Sequence, residues 1–179
     1  MTRPIRSRTR EAILTAAAAR FTAVGFKGAS LQDIAADVGC SKATLLYHFA
    51  TKDALLFEML APALSAVEEM DRQLAGLDGR EAQEAAIEAF VDLAVRFRGH
   101  LTMLNAELPS LLNQPGFNHL LPISERLADA LAGRSDEVKA RVAAQVVLAG
   151  VSGACAQLPD LPDDALRAAL LPVTRAALN

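Results

Sequence analysis

Residues 30–52, SLQDIAADVGCSKATLLYHFATK, leave few ways to fold. Ser30 followed by Asp33 has the form of a capping box: the hydroxyl accepts from the Asp33 amide while the carboxylate reaches back to the Ser30 amide. Leu31, Ile34, Ala35 and Val38 then recur at helical spacing, so one face of the helix is apolar. Gly39 can take positive φ and close that helix, and Ser41 is a good N-cap for the next. The link between the two is only about three residues long. A short helix, a glycine turn and a second short helix form the helix-turn-helix pattern, whose second helix lies in the major groove of DNA.

The second helix divides by face. Leu45 and Phe49 stand four apart and can anchor it to the helices behind, while Ser41, Thr44 and His48 share another face with Tyr47 beside them. Ser and Thr hydroxyls serve phosphates or base edges, the Thr methyl can touch a thymine methyl, and Ala43 lets the backbone come close to a duplex. Lys42 adds positive charge. Thr51 has the character of an N-cap for a further helix, whose free amides together with Lys52 can hold a phosphate. The candidate DNA-contacting residues are therefore Ser30, Ser41, Lys42, Ala43, Thr44, Tyr47, His48 and Lys52.

SKATLLYHFATKDALL, preceded by SLQDIAADVGC and by a helix ending in FTAVGFKGAS, resembles the DNA-binding domain of the tetracycline-repressor (TetR) family of bacterial regulators. The resemblance runs from about Arg8 to Leu60. The family pattern falls on Thr44, Tyr47, His48, Phe49 and Lys52. Leu46 departs from it, standing where many members carry a phosphate-contacting Tyr, which leaves more of the phosphate binding to Tyr47 and His48.

Composition agrees with a helical protein. Of 179 residues 52% are hydrophobic, with Ala and Leu dominant, against 4% aromatic and no Trp, which favours closely packed helices over a β-sandwich. The net charge of −3 would disfavour nucleic acid if evenly spread, but residues 1–52 hold eight Lys or Arg against three acids, a surplus of +5 that leaves −8 for the remainder. A basic head on an acidic body confines attraction for a polyanion to one end. The N-terminus MTRPIRSRTR lacks the apolar run of a signal peptide, and no window reaches the roughly 18 consecutive apolar residues of a membrane span. The expected location is cytoplasmic, with no membrane partner. Cys40 and Cys155 match no metal or disulfide pattern; Cys40 reads as a small hydrophobe or as a redox-sensitive thiol, the former being the simpler reading.

The expected fold is all-α, with about nine helices: a three-helix DNA-binding domain over residues 1–52 and a helical effector-binding and dimerisation domain over 53–179. Residues 1–6 read as an unstructured arm and residues 9–24 as a helix stopped by Gly25. Pro62 predicts a bend or break near Ala61. Asp78 and Glu81 have the form of a second capping box. Helices are expected over 80–98, 101–112, 117–131, from Ser135 toward Leu158, and from the turn at 160–164 to the end. The penultimate one carries Val138, Val142, Val146 and Val147, and the last has a stripe of Leu166, Ala169, Leu170, Val173 and Leu178. Gly150 and Gly153 amid alanines predict close approach of another helix.

No catalytic pattern is present: no phosphate-binding glycine loop, HExxH, GxSxG or CxxC. His100 and His119 read as hydrogen-bonded or solvent-facing rather than as metal ligands, and Glu68, Glu69 and Asp71 as a solvated helix face. No cofactor is expected. The resemblance implies a homodimer through the last two helices, a near-palindromic double-stranded operator, and repression relieved by a small apolar or amphipathic effector. It also implies an effector cavity, for which Phe90, Phe97, Met103 and Phe117 are candidate apolar walls and His100 and Asn105 polar orienters; a Phe and Met stripe at helical spacing equally describes plain core. The competing function is an all-helical small-molecule-binding protein that keeps the fold without operator binding.

Overall fold

The computed structural model describes residues 3–100 and 117–179, which are helices and short connections with no strand among them. The helices are α1 (Arg3–Gly28), α2 (Leu31–Val38), α3 (Lys42–His48), α4 (Lys52–Leu74), α5 (Gly79–Arg96), α6 (Leu120–Leu131), α7 (Val138–Gln157) and α8 (Asp163–Leu178). The expected helix over 101–112 and the turn after it lie outside the described residues. Two compact units are present, divided within α4 at Pro62.

In the first unit Ile13, Ala17 and Phe21 of α1 meet a core completed by Ile34 and Ala35 of α2, Leu45 of α3, Phe49, and Leu55, Leu56 and Leu60 of α4. α1 starts at Arg3, so most of the expected unstructured arm is helical; Pro4 lies in the first turn, where its missing amide has no intrahelical partner to lose. Gly25 interrupts the helix as anticipated, at φ 75° and ψ 164°, before a last turn to Gly28. The Arg20 guanidinium grips Asp37 with Nη2 at 2.7 Å from Oδ1 and Nε on Oδ2, tying α2 to α1.

α5 is the centre of the second unit and packs on α6, α7 and α8. Ala82, Ala86, Ile87, Phe90, Val91 and Ala94 supply its buried face, met by Leu127 and Leu131 of α6, Val147 and Val151 of α7, and Leu166 and Leu170 of α8. Polar ties close the periphery. Arg134, itself at φ 55°, donates from Nε to the Leu77 carbonyl at 2.6 Å and from Nη2 to the Leu74 carbonyl at 3.0 Å, where it joins the Leu77 amide in closing the turn that follows α4. Arg126 holds Asp71 through two bonds of 2.7 Å, joining α6 to α4.

Several expectations change. Pro62 does not end α4, because a single proline forfeits one amide bond while the rest of the ladder continues. Asp78 makes no side-chain cap; it lies 3.4 Å from Arg134 instead. α7 begins at Val138 rather than Ser135, whose hydroxyl accepts from the Glu137 amide at 3.2 Å in the preceding turn. Its buried face is Ala144, Val147, Val151 and Cys155, leaving Val138, Val142 and Val146 exposed at 76%, 57% and 62%. On α8 the inward set is Leu166, Leu170 and Thr174, with Val173 66% exposed. A Cβ built on Gly150 or Gly153 would meet nothing within 4 Å, so no helix of the same chain crowds them among the described residues.

This packing leads to two expected outcomes. Thr174 Oγ1 is buried with no hydrogen-bond partner among the described residues. Thr174→Val should therefore raise thermal stability by about 1 kcal/mol; an unchanged or lower melting temperature would contradict this. The hydrogen bonds from Arg126 hold the Asp71 carboxyl below its ordinary value of 3.8. The pair's stabilisation is thus full above that value and lost as pH falls through the lower folded one. Asp71→Asn should cost about 1 kcal/mol near neutral pH, with the difference from the parent shrinking in melts taken progressively below pH ~4.

Candidate nucleic-acid interface

The turn that presents α3 is assembled from local hydrogen bonds. Gly39 adopts φ 73°, and its amide and that of Cys40 return to carbonyls of the last turn of α2, Gly39 to Ala36 at 3.0 Å and Cys40 to Ala35 at 2.9 Å. Ser41 caps α3: its Oγ accepts from the Thr44 amide at 3.0 Å and shares a hydrogen bond of 2.9 Å with Thr44 Oγ1. Ser30 caps α2, accepting from the Asp33 amide at 3.1 Å. The reciprocal half of the expected box differs, because the Asp33 carboxylate accepts from the Ser30 hydroxyl at 2.7 Å instead of from the Ser30 amide. An Asp is one methylene shorter than the Glu that normally makes that return.

Leu45 is fully buried and Phe49 nearly so, and they fix the inner side of α3. Arg10 lies 5.1 Å from the Phe49 ring centroid and pairs with Glu58, holding α1 and α4 around that anchor. The outer side carries Ser41, Lys42, Ala43, Leu46 and Tyr47, with Thr44 and His48 half-buried at its edges. Tyr47 is 67% exposed, its ring edge-on to His48 at 5.5 Å. Six of the eight candidates thus share one small helix and its cap. Ser30 and Lys52 stand at the starts of α2 and α4.

Thr51 caps α4 as anticipated, accepting from the Ala54 amide at 3.0 Å. Lys52 has a job that its sequence position did not disclose. Its Nζ donates to the carbonyls of Phe26 at 2.7 Å and Ala29 at 2.9 Å and sits 4.5 Å from the Phe26 ring centroid. The ammonium therefore ties the α1–α2 link to the start of α4, with one of its three donors left for another acceptor. Sequence reasoning also missed the Arg20–Asp37 clamp, whose hydrogen bonds depress the Asp37 carboxyl. No short-range spacing signals a pair 17 residues apart.

The effector candidates divide differently. Phe90 is packed in the core of the second unit. Phe97 is buried with its ring edge-on to His100 at 5.6 Å, and Phe117 is buried too. Met103 and Asn105 lie outside the described residues. A groove of about 340 Å³ is lined by Asp92, Arg96, Asp163 and Arg167, and another of about 300 Å³ runs between α4 and α5, with Met70, Leu93 and Phe97 as apolar wall and Glu69, Asp92 and Arg96 as polar rim. His119 Nε2 faces Glu68 Oε1 at 3.3 Å, a closer carboxylate than the sequence indicated. Among the described residues no cluster of His, Cys, Asp or Glu could hold a metal ion.

Residues 13–59 match the family model for bacterial regulatory proteins, tetR family. Solved structures similar to the chain include the ketosteroid transcriptional regulator KstR2 of Mycobacterium tuberculosis, at TM-score 0.74 and 18% identity over 93% of each chain. The TetR family transcriptional regulator PfmR from Thermus thermophilus gives 0.65 and 24% over 91% of this chain and 97% of that one. The probable transcriptional regulatory protein RHA5900 gives 0.74 and 20% over 95% and 98%. At such identities these likenesses establish the fold, and no curated protein sequence matches the chain. Residues 13–59 are thus similar to the helix-turn-helix segment of the tetR family of bacterial regulatory proteins, on a chain whose all-helical fold is shared with these regulators along its length.

Proposed function

We propose that the chain is a sequence-specific, operator-binding transcriptional regulator that acts as a homodimeric repressor and is released by a small apolar or amphipathic effector. The observation that carries the reading is the exposed face of α3, hydroxyl- and cation-bearing on one side and pinned by Leu45 and Phe49 on the other. The surplus of positive charge in residues 1–52 adds the sequence-independent attraction to phosphates.

The dimer reading is supported by the outer stripe of α7. Val138, Val142, Val146 and Ala149 border a groove of about 520 Å³, with Arg141 and Gln145 as its polar members. The open space at Gly150 and Gly153 would admit a helix from a second copy. α7 is long and apolar enough to cross a membrane by length and composition. Its other face, however, is buried against α5, α6 and α8, and Lys139, Arg141 and Gln145 interrupt its outer one. A subunit contact accounts for both faces; a lipid surround accounts for neither.

In this reading the paired α3 helices sit about one turn of DNA apart, ~34 to 36 Å, and read successive major grooves. An effector binding in the second unit with higher affinity for a conformation of different spacing would release the operator in proportion to that preference. The groove between α4 and α5 is where we place it. The cytoplasm is the compartment in which such a protein meets its DNA.

Two outcomes test the proposal. Lys42→Ala should weaken binding to every duplex alike and lower the slope of log affinity against log salt by about 1, whereas a parent protein with no salt-dependent duplex binding would refute the reading. In sedimentation the parent should run at twice the 19.0 kDa chain mass. Val142→Glu should run as a monomer of unchanged helicity with palindrome binding weakened at least tenfold; a monomeric parent would remove the dimer.

A further inference from the structure

The chemistry of the α3 face narrows what kind of DNA it can read, given the operator-binding function proposed above. Recognition of guanine uses Arg or Lys and that of adenine Asn or Gln, whereas thymine is distinguished by its C5-methyl group, which is met by apolar carbon. α3 runs KATLLYH: it contains no Arg, Asn or Gln, and its single Lys, Lys42, stands at the first position of the helix, to one side of the apolar residues. Its outward residues include Ala43 and Leu46, both exposed and neither able to donate or accept through its side chain. Thr44 adjoins them, half-buried at the edge of the same face. Its hydroxyl is already engaged by Ser41 Oγ at 2.9 Å, which fixes the rotamer and leaves the γ-methyl as the part of that side chain without a polar partner. Lys42, Tyr47 and His48 flank this apolar centre and can serve phosphates or a single base edge.

We infer that α3 reads its half-site chiefly through thymine methyl groups, met by the methyl and methylene surfaces of Ala43, Thr44 and Leu46, so that the operator half-sites are A·T-rich at the positions under α3. Specificity then comes from shape-matched apolar contact rather than from paired hydrogen bonds, and each thymine methyl contributes what burial of one methyl in a protein contributes.

The test begins with the full-length protein and a random duplex pool. Duplexes recovered by repeated selection are remade with deoxyuridine in place of thymidine at single symmetric pairs of positions, which deletes the methyl and nothing else. At one or more such pairs the affinity should fall about fourfold per methyl, roughly fifteenfold for both half-sites together. Thr44→Ser, which keeps the hydroxyl bonded to Ser41 and removes the methyl, should reduce the thymine-to-uracil ratio toward one at its own position. Equal affinity for thymine and uracil duplexes throughout overturns the inference, as does loss of binding only when guanine is replaced by 7-deazaguanine. Recovery of no preferred duplex is a different result, because it removes the operator-binding reading itself.

Discussion

Burial of Leu45 and Phe49 fixes the position of α3, and the proposed chemistry depends on that position. A helix of seven residues has too few internal hydrogen bonds to persist alone, so α3 exists because its inner side joins the core of the first unit and its first turn is capped by Ser41. The same geometry sends Lys42, Ala43, Leu46 and Tyr47 outward without competition from the core. Around this anchor lie long-range polar ties: Arg20 to Asp37, Arg10 to Glu58, and Lys52 to the carbonyls of Phe26 and Ala29. All are at least partly exposed, so each contributes little to net stability; their value is in defining the angles at which three short elements meet.

The second unit solves a different problem. α5 is surrounded by α6, α7 and α8 and needs nothing further to bury its own face. α7 does not finish so neatly: Ala144, Val147, Val151 and Cys155 are buried among the described residues, while Val138, Val142 and Val146 stand exposed on another face. A helix with two apolar faces and one partner layer is the physical basis of the proposed association. The same proposed association would use the open space at Gly150 and Gly153, where a Cβ would meet nothing within 4 Å among the described residues.

Much of this was legible in the sequence because it is local. The caps at Ser30, Ser41 and Thr51, the left-handed glycine at 39 and the break at Gly25 all depend on residues within a few positions of one another, and all are present. What escaped was set by the third dimension. Val138, Val142 and Val146 lie at the spacing of a core face, and periodicity cannot say whether the core belongs to the same chain. Asp78 has the spacing of a capping box, yet Arg134 stands beside it, 56 residues later in sequence. The carbonyl contacts of Lys52 and the clamp on Asp37 depend on the meeting of helices that composition does not orient. The effector candidates were the least legible, since an aromatic at helical spacing has the same pattern whether it lines a cavity or, like Phe90, fills a core.

Amide hydrogen exchange on the protein with and without a selected duplex tests the central claim most directly. Slower exchange confined to residues 41–52 and the adjoining turn, with the amides of α5 and α8 unaltered, is the result this account predicts. Protection elsewhere on the surface, with residues 41–52 exchanging as in the free protein, would contradict it.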